Sequence, residues 1–199
     1  FDRTLVMGIV NVTPDSFSDG GRDASAAMVH CDVLLTEGAD ILDIGGESTR
    51  PGAKQPTVDE EIARVLPVVR HALTLGVPVS VDTSRVRVMR AVLDAGADII
   101  NDIWAFRQPG AAQAVARHPR CGLVLMHMHG KPQTMQAAPM QCADVVAQVS
   151  TELLSFCELL THNFIGLEVK TTFKKRMVLD PGIGFGKIVA QNFALLARQ

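Results

Sequence analysis

The sequence predicts an α/β fold, a (β/α)8 barrel with only about six strand–helix units present. Three observations carry this expectation. Short apolar runs alternate along the chain with apolar-periodic helical stretches. The runs are continuous rather than alternating, as in parallel strands covered on both faces. Polar residues stand at the C-terminal end of every run: Asn11, Asp43, Asp82, Asn101 with Asp102, His127 and Asp180. All strand ends of a barrel open on one mouth, where chemistry is built, whereas an open doubly wound sheet needs polar ends only at its switch point.

The elements follow in order. The first run is Leu5 to Val10, with a loop from Asn11 to Asp23 and a helix from about Ala24 to Thr36. The second is Ile41 to Ile44, and its loop, Gly45 to Val58, carries Pro51, Gly52 and Pro56. A helix opens near Asp59-Glu60-Glu61, with acid where the helix dipole favours it. Val77 to Val81 is the third run, followed by a helix from about Ser84, which Ser84 is expected to cap. The fourth, fifth and sixth runs are Ala97 to Ile100, Gly122 to Met126 and Met177 to Leu179. Gly38-Ala39-Asp40 and Gly96-Ala97-Asp98 repeat as helix-to-strand turns with glycine suited to a left-handed cap.

Composition excludes several classes. The 199 residues are 47% hydrophobic with a net charge of −2, so disorder and general nucleic-acid binding are disfavoured. No apolar stretch is long enough for a membrane span. Cys31, Cys121, Cys142 and Cys157 are scattered and read as reduced packing thiols of a cytoplasmic protein. The chain opens on Phe1 without a signal peptide, as expected of a start inside a longer gene product.

The loops carry the candidate chemistry. Asn11 to Gly21 is dense in hydroxyls, carboxylates and glycines, which suits a lid bringing Asp15 to a substrate, with Phe17 to stack on a flat ligand. Glu47-Ser48-Thr49-Arg50-Pro51-Gly52 offers hydroxyls and a guanidinium to an anion. Asp82, Asn101-Asp102 and Asp180 suit a flat heterocycle with both donors and acceptors. Gly182-Ile183-Gly184-Phe185-Gly186-Lys187 is neither a Rossmann nor a Walker A motif; its glycines, Gly184 among them, let backbone approach a ligand, and Phe185 offers a stacking face. His127 and His129 could bind metal on a strand, though strand-end histidines are commoner. Lys170, Lys174, Lys175 and Arg176 read as solvated charge.

The stretches 11–21 and 38–52 closely resemble the two signatures of the dihydropteroate synthases, a pterin-binding TIM-barrel family. Segments 81–84, 100–103, 125–128 and 179–187 match in order. The resemblance implies a cytoplasmic transferase of folate biosynthesis. It would join 6-hydroxymethyl-7,8-dihydropterin diphosphate to 4-aminobenzoate, which sulfonamides mimic. Asp82, Asn101 and Asp180 would bind the pterin, with Ile103, Met126 and Gly184 beside it. Asp15 and Asp82 would be catalytic. Asn11 would be a ligand of the Mg2+ that holds the diphosphate. Thr49, Arg50, Pro51, Phe17 and Phe185 would serve the diphosphate and aminobenzoate.

The family pattern also includes two further strands, carrying a lysine, an arginine and a histidine. Residues 1–199 are therefore expected to be one domain that is incomplete at its C-terminus, from an enzyme that is a homodimer when full-length. Residues 161–173 have no functional reading. The alternatives are a non-catalytic pterin-binding paralogue or fragment, a pterin-dependent methyltransferase, and a hydrolase using His127 and His129.

Overall fold

The computed structural model describes residues 3–13, 23–48, 55–132, 134–162 and 174–198. The strands among these residues are β1 (Met7–Asn11), β2 (Ile41–Gly45), β3 (Val79–Asp82), β4 (Ile99–Asp102), β5 (Gly122–Met126) and β6 (Met177–Asp180). The helices among the described residues are α1 (Asp23–Thr36), α2 (Val58–Leu73), α3 (Val86–Ala95), α4 (Ala111–Ala116), α5 (Val145–His162) and α6 (Val189–Leu196). All neighbouring strands pair in parallel, in the order β1 to β6. Unbroken sequential order is the pattern of a (β/α)8 barrel, here through six units; a doubly wound sheet would reverse direction at its switch point.

Strand parity divides the sheet into two faces. Val10, Leu42, Ile44, Val79, Val81, Ile100, Leu123 and Leu125 face the helices and are fully buried, packed with Val65, Val68, Val69, Val88, Met89 and Val92. The paired registers put Asn11, Asp43, Ser80, Asp82, Asn101, Val124, Met126 and Asp180 on the opposite, interior face. A polar residue one position out of phase lands among the helices instead.

The repeated Gly-Ala-Asp turns have a physical explanation. Gly96 caps α3 at φ +113°, a left-handed conformation that a Cβ would strain. The aspartate two residues later then reaches a neighbouring strand: Asp98 Oδ2 accepts the Val79 N–H at 2.9 Å, and Asp40 Oδ2 accepts that of Val6 at 2.8 Å. Asp40 also pairs with Arg3, which holds its carboxyl down at about 2. The repeat thus locks strand register at the end of the sheet away from the mouth.

Helix starts depart from expectation in one place. α2 begins with a capping box, in which the Thr57 hydroxyl accepts from Glu60 N–H and the Glu60 carboxylate from Thr57 N–H. Ser84 does not cap α3. The helix begins at Val86 with Arg85 in the cap position, and Thr83 Oγ1 accepts the Arg85 N–H at 3.2 Å. The six-residue α4 is too short to show a helical period in the sequence. Arg176 is not simply solvated: its Nη1 donates to the carbonyls of His118 and Cys121, tying the start of β6 to the turn before β5. The four cysteines are free, and Cys31 and Cys121 are buried. Among the described residues no helix is long and apolar enough to cross a membrane.

Candidate active site

The C-terminal ends of β1, β3, β4 and β6 bring Asn11, Asp82, Asn101 and Asp180 onto the interior face. Gly45 lies between the first two. A Cβ there would stand 3.6 Å from Asp82 Cβ and 3.9 Å from Asn11 Oδ1, so the missing side chain keeps the gap between them open. Asn101 Nδ2 donates to Asp43 Oδ2 at 3.1 Å, and Asp180 Oδ1 accepts the Gly182 N–H at 2.7 Å. Burial pushes the Asp82 carboxyl well above the usual carboxylate range, helped by the charges of Asp43, Asp102, Glu61 and Glu47. A cationic or hydrogen-bond-donating ligand would relieve that crowding.

An apolar wall stands beside these groups. Met126, Met128 and Met135 are buried together, with half-buried Ile103, Trp104 and Phe185 packed on them. The structure thus unites Ile103 and Met126, expected beside the pterin, with Phe185, expected at the aminobenzoate. A cavity of about 670 Å3 opens on the lip, lined in part by Glu47, Arg85, Ile103, Trp104 and Lys131.

The β6–α6 loop is held from several sides. Gly182 has φ +66°, and a Cβ there would lie 1.9 Å from the His127 carbonyl oxygen, so no other residue fits. Lys187 is 3% exposed and donates to the carbonyls of Gly182, Phe185 and His127. Burial lowers its pKa to about 8, against the opposing charges of Asp180 and Glu152. The Gly184 N–H donates to Asn192 Oδ1 at 2.9 Å, and its carbonyl accepts from Gln136 Nε2. No atom lies within 4 Å of the position its Cβ would take, so this α-carbon faces open space.

A second cluster supports the mouth from behind. Glu61 is fully buried, accepts the Thr83 hydroxyl at 2.6 Å and pairs with Arg85 Nε at 3.2 Å. Arg85 also pairs with Glu47 at 3.1 Å and donates to the Pro56 carbonyl. One guanidinium therefore joins Glu47, Pro56 and the residues following Asp82. Burial raises the Glu61 carboxyl, while Thr83 and Arg85 favour its ionised form. Glu61 is not just a dipole-favoured first-turn acid. It occupies the buried stripe of α2 with Val65, Val68, Val69 and Ala72, and a charge on that stripe was the signal that could have found it.

Two strand-end groups do not join the mouth. Asp102 has the opposite parity from Asn101 and is fully buried on the helix side. Its carboxylate accepts the N–H groups of Trp104 and Phe106 at 2.9 and 2.8 Å, bracing a turn in which Ala105 and Phe106 have φ of +50° and +58°. His127 is likewise fully buried, with Nε2 at 3.1 Å from Glu152 Oε2. The described residues contain no group of three or more His, Cys, Asp or Glu placed to hold a metal. Asp15, Phe17, Thr49, Arg50 and Pro51 lie outside the described residues.

Burial raises the Asp102 carboxyl to about 6, with the two N–H donors pulling it back. A carboxyl raised on folding stabilises the fold below its unfolded pKa of 3.8 and loses that contribution as pH climbs through about 6. The loss is about 3 kcal/mol by linkage. Urea titrations of the parent chain are therefore expected to show stability falling between pH 4 and about 7, and Asp102→Asn is expected to flatten that fall. An unchanged pH slope would remove Asp102 as its source.

Comparison with known proteins agrees with this geometry. Residues 7–198 match the model of a family described as pterin binding enzyme. The dihydropteroate synthase of Escherichia coli (strain K12) is 48% identical over 198 residues, covering 97% of this chain and 66% of the relative. The structure of Xanthomonas albilineans dihydropteroate synthase with 4-aminobenzoic acid superposes with a TM-score of 0.85 at 49% identity, over 99% of this chain and 68% of that one. Burkholderia cenocepacia dihydropteroate synthase complexed with 7,8-dihydropteroate gives 0.83 at 47% identity, over 99% and 65%. The chain thus spans about two thirds of the length of these relatives. The interior-face carboxylates and amides, the methionine-lined wall and this likeness over nearly every residue have one explanation: the chain belongs to the pterin-binding enzyme family, among the dihydropteroate synthases.

Proposed function

We propose that this chain supplies the pterin-binding part of a dihydropteroate synthase, a transferase of folate biosynthesis. The reaction joins 6-hydroxymethyl-7,8-dihydropterin diphosphate to 4-aminobenzoate and releases diphosphate. The observation that carries the proposal is the convergence of Asp82, Asn101 and Asp180 on one face beside the wall of Met126, Ile103 and Phe185. Carboxylate and amide oxygens match the N–H groups of a pterin ring, and the thioethers and rings match its flat faces.

In the reaction the bond from the pterin methylene to the diphosphate oxygen breaks, and the electron pair leaves with diphosphate. The positive charge left on the methylene and ring is stabilised by the carboxylate of Asp82, which a cation would draw into its ionised form. The aminobenzoate nitrogen then forms the new C–N bond and loses a proton. By family resemblance Asp15 would share the charge stabilisation, Phe17 and Phe185 would flank the aminobenzoate, and Thr49, Arg50 and Pro51 would face the anionic groups. Gly184 would meet the ligand with its open α-carbon side.

Asn11 suits a role at Mg2+. A hard cation that keeps water and binds substrate phosphates needs few protein oxygens, and Asn11 Oδ1 projects beside the gap kept by Gly45. Bound there, Mg2+ would neutralise charge on the departing diphosphate. The working enzyme would be a cytoplasmic homodimer that sulfonamides inhibit by occupying the aminobenzoate position.

The test is product formation. Incubated with both substrates and Mg2+, the protein is expected to yield dihydropteroate and diphosphate in equal amounts. Pterin binding without product would leave the non-catalytic pterin-binding reading.

A further inference from the structure

Asp43 has no part in the reading above. It sits in the middle of β2, 5% exposed, on the interior face and paired in register with Ser80. One oxygen accepts the Asn101 amide at 3.1 Å. The other is buried beside the fully buried Ser80 hydroxyl, which is near enough to favour the ionised form although the pair does not reach hydrogen-bond geometry. A carboxyl in this state costs stability, and an apolar side chain would fill the barrel interior at lower cost. Burial accordingly raises its pKa, with Asp180 adding to the rise while Ser80 and Asn101 oppose it. Packing does not account for the residue.

Its contact does. The amide of Asn101 has donors on one prong and an acceptor on the other, and a half-turn exchanges them. The Asn101 amide favours the ionised carboxylate, whose oxygens accept and cannot donate. Engaged with Asp43, the Asn101 nitrogen is held towards β2, and Oδ1 is the prong left for a ligand. With no such partner, either prong could face the mouth.

We propose that Asp43 is a positioning residue for pterin recognition, fixing the amide of Asn101 so that its carbonyl oxygen meets the N–H groups of the ring. This rests on the pterin-binding function proposed above. It predicts that Asp43 governs affinity for the pterin rather than the stability of the fold.

The experiment is calorimetric titration of the chain with 6-hydroxymethyl-7,8-dihydropterin diphosphate, alongside thermal melts. Asp43→Asn can offer its own donor to Asn101 and turn the amide over. It is expected to weaken binding about tenfold, the worth of one hydrogen bond, with Tm unchanged or higher. The exchanged pair Asp43→Asn with Asn101→Asp restores a donor facing a carboxylate and leaves an acceptor for the ring. It is expected to bind within a few-fold of the parent. Parent-like binding by Asp43→Asn, or an exchanged pair no better than that single variant, would overturn the proposal. So would affinity and Tm falling together in Asp43→Asn. If the parent chain binds no pterin, the functional reading falls, and this inference with it; if the parent binds and only the pattern among variants fails, the function stands without it.

Discussion

Replacing Asp82 with alanine is expected to abolish dihydropteroate formation, by at least about a hundredfold, the scale of removing one charge-stabilising group from a buried site. Three features set the size of this effect. The residue ends β3 on the interior face, Gly45 leaves its flank open, and burial, helped by the surrounding carboxylates, raises its pKa well above the usual range. An uncharged ring can still pack on Met126 and Ile103, so pterin affinity should fall less than turnover. Asp82→Asn keeps the shape and one acceptor but not the charge, and should bind pterin while remaining inactive. Steady-state and single-turnover assays with both substrates check this; retained turnover in Asp82→Ala would refute the assigned role.

The largest expected effect on stability comes from Arg85. Arg85→Ala strands the fully buried carboxylate of Glu61 and leaves Glu47 without its ion pair. Removing one partner of a buried pair costs about 3–5 kcal/mol, because the other charge remains desolvated. For a domain of this size that lowers Tm by about 10 °C. Arg85→Met combined with Glu61→Leu removes both charges and should recover much of the loss. Melting curves of the single and double variants check the point, and a single variant melting within about 2 °C of the parent would contradict it.

The strand ends were legible in the sequence because parallel strands give short apolar runs and chemistry collects where they stop. Which polar residue faces the mouth was not legible. A strand buried on both faces shows no alternation, so nothing in Ile99-Ile100-Asn101-Asp102 says that Asn101 faces inward and Asp102 outward. Pairing with β3 and β5 decides it. Asp102 therefore looked like a ligand-binding residue and is a turn brace. His127, read as an ordinary strand-end histidine in preference to a metal ligand, is a buried helix-side residue paired with Glu152.

The residues that support the site were hidden for a different reason. Glu61, Arg85 and Lys187 act through contacts between elements distant in sequence, such as Glu61 with Thr83 and Lys187 with His127, and Asp43, expected at a strand end, instead stands in the middle of β2. The local pattern around Glu61 already had an adequate explanation in helix capping and the dipole. The family resemblance reached Asn11, Ile103, Met126, Phe185 and Gly184, and the structure shows how parity and the β6–α6 loop place them.

The most direct test is a crystal structure of the chain with 6-hydroxymethyl-7,8-dihydropterin diphosphate. The ring is expected on the interior face, hydrogen-bonded to Asp82, Asn101 and Asp180 and flanked by Met126 and Ile103. A ring bound elsewhere, for instance in the lip cavity beside Trp104 and Lys131 with those three side chains untouched, would contradict it.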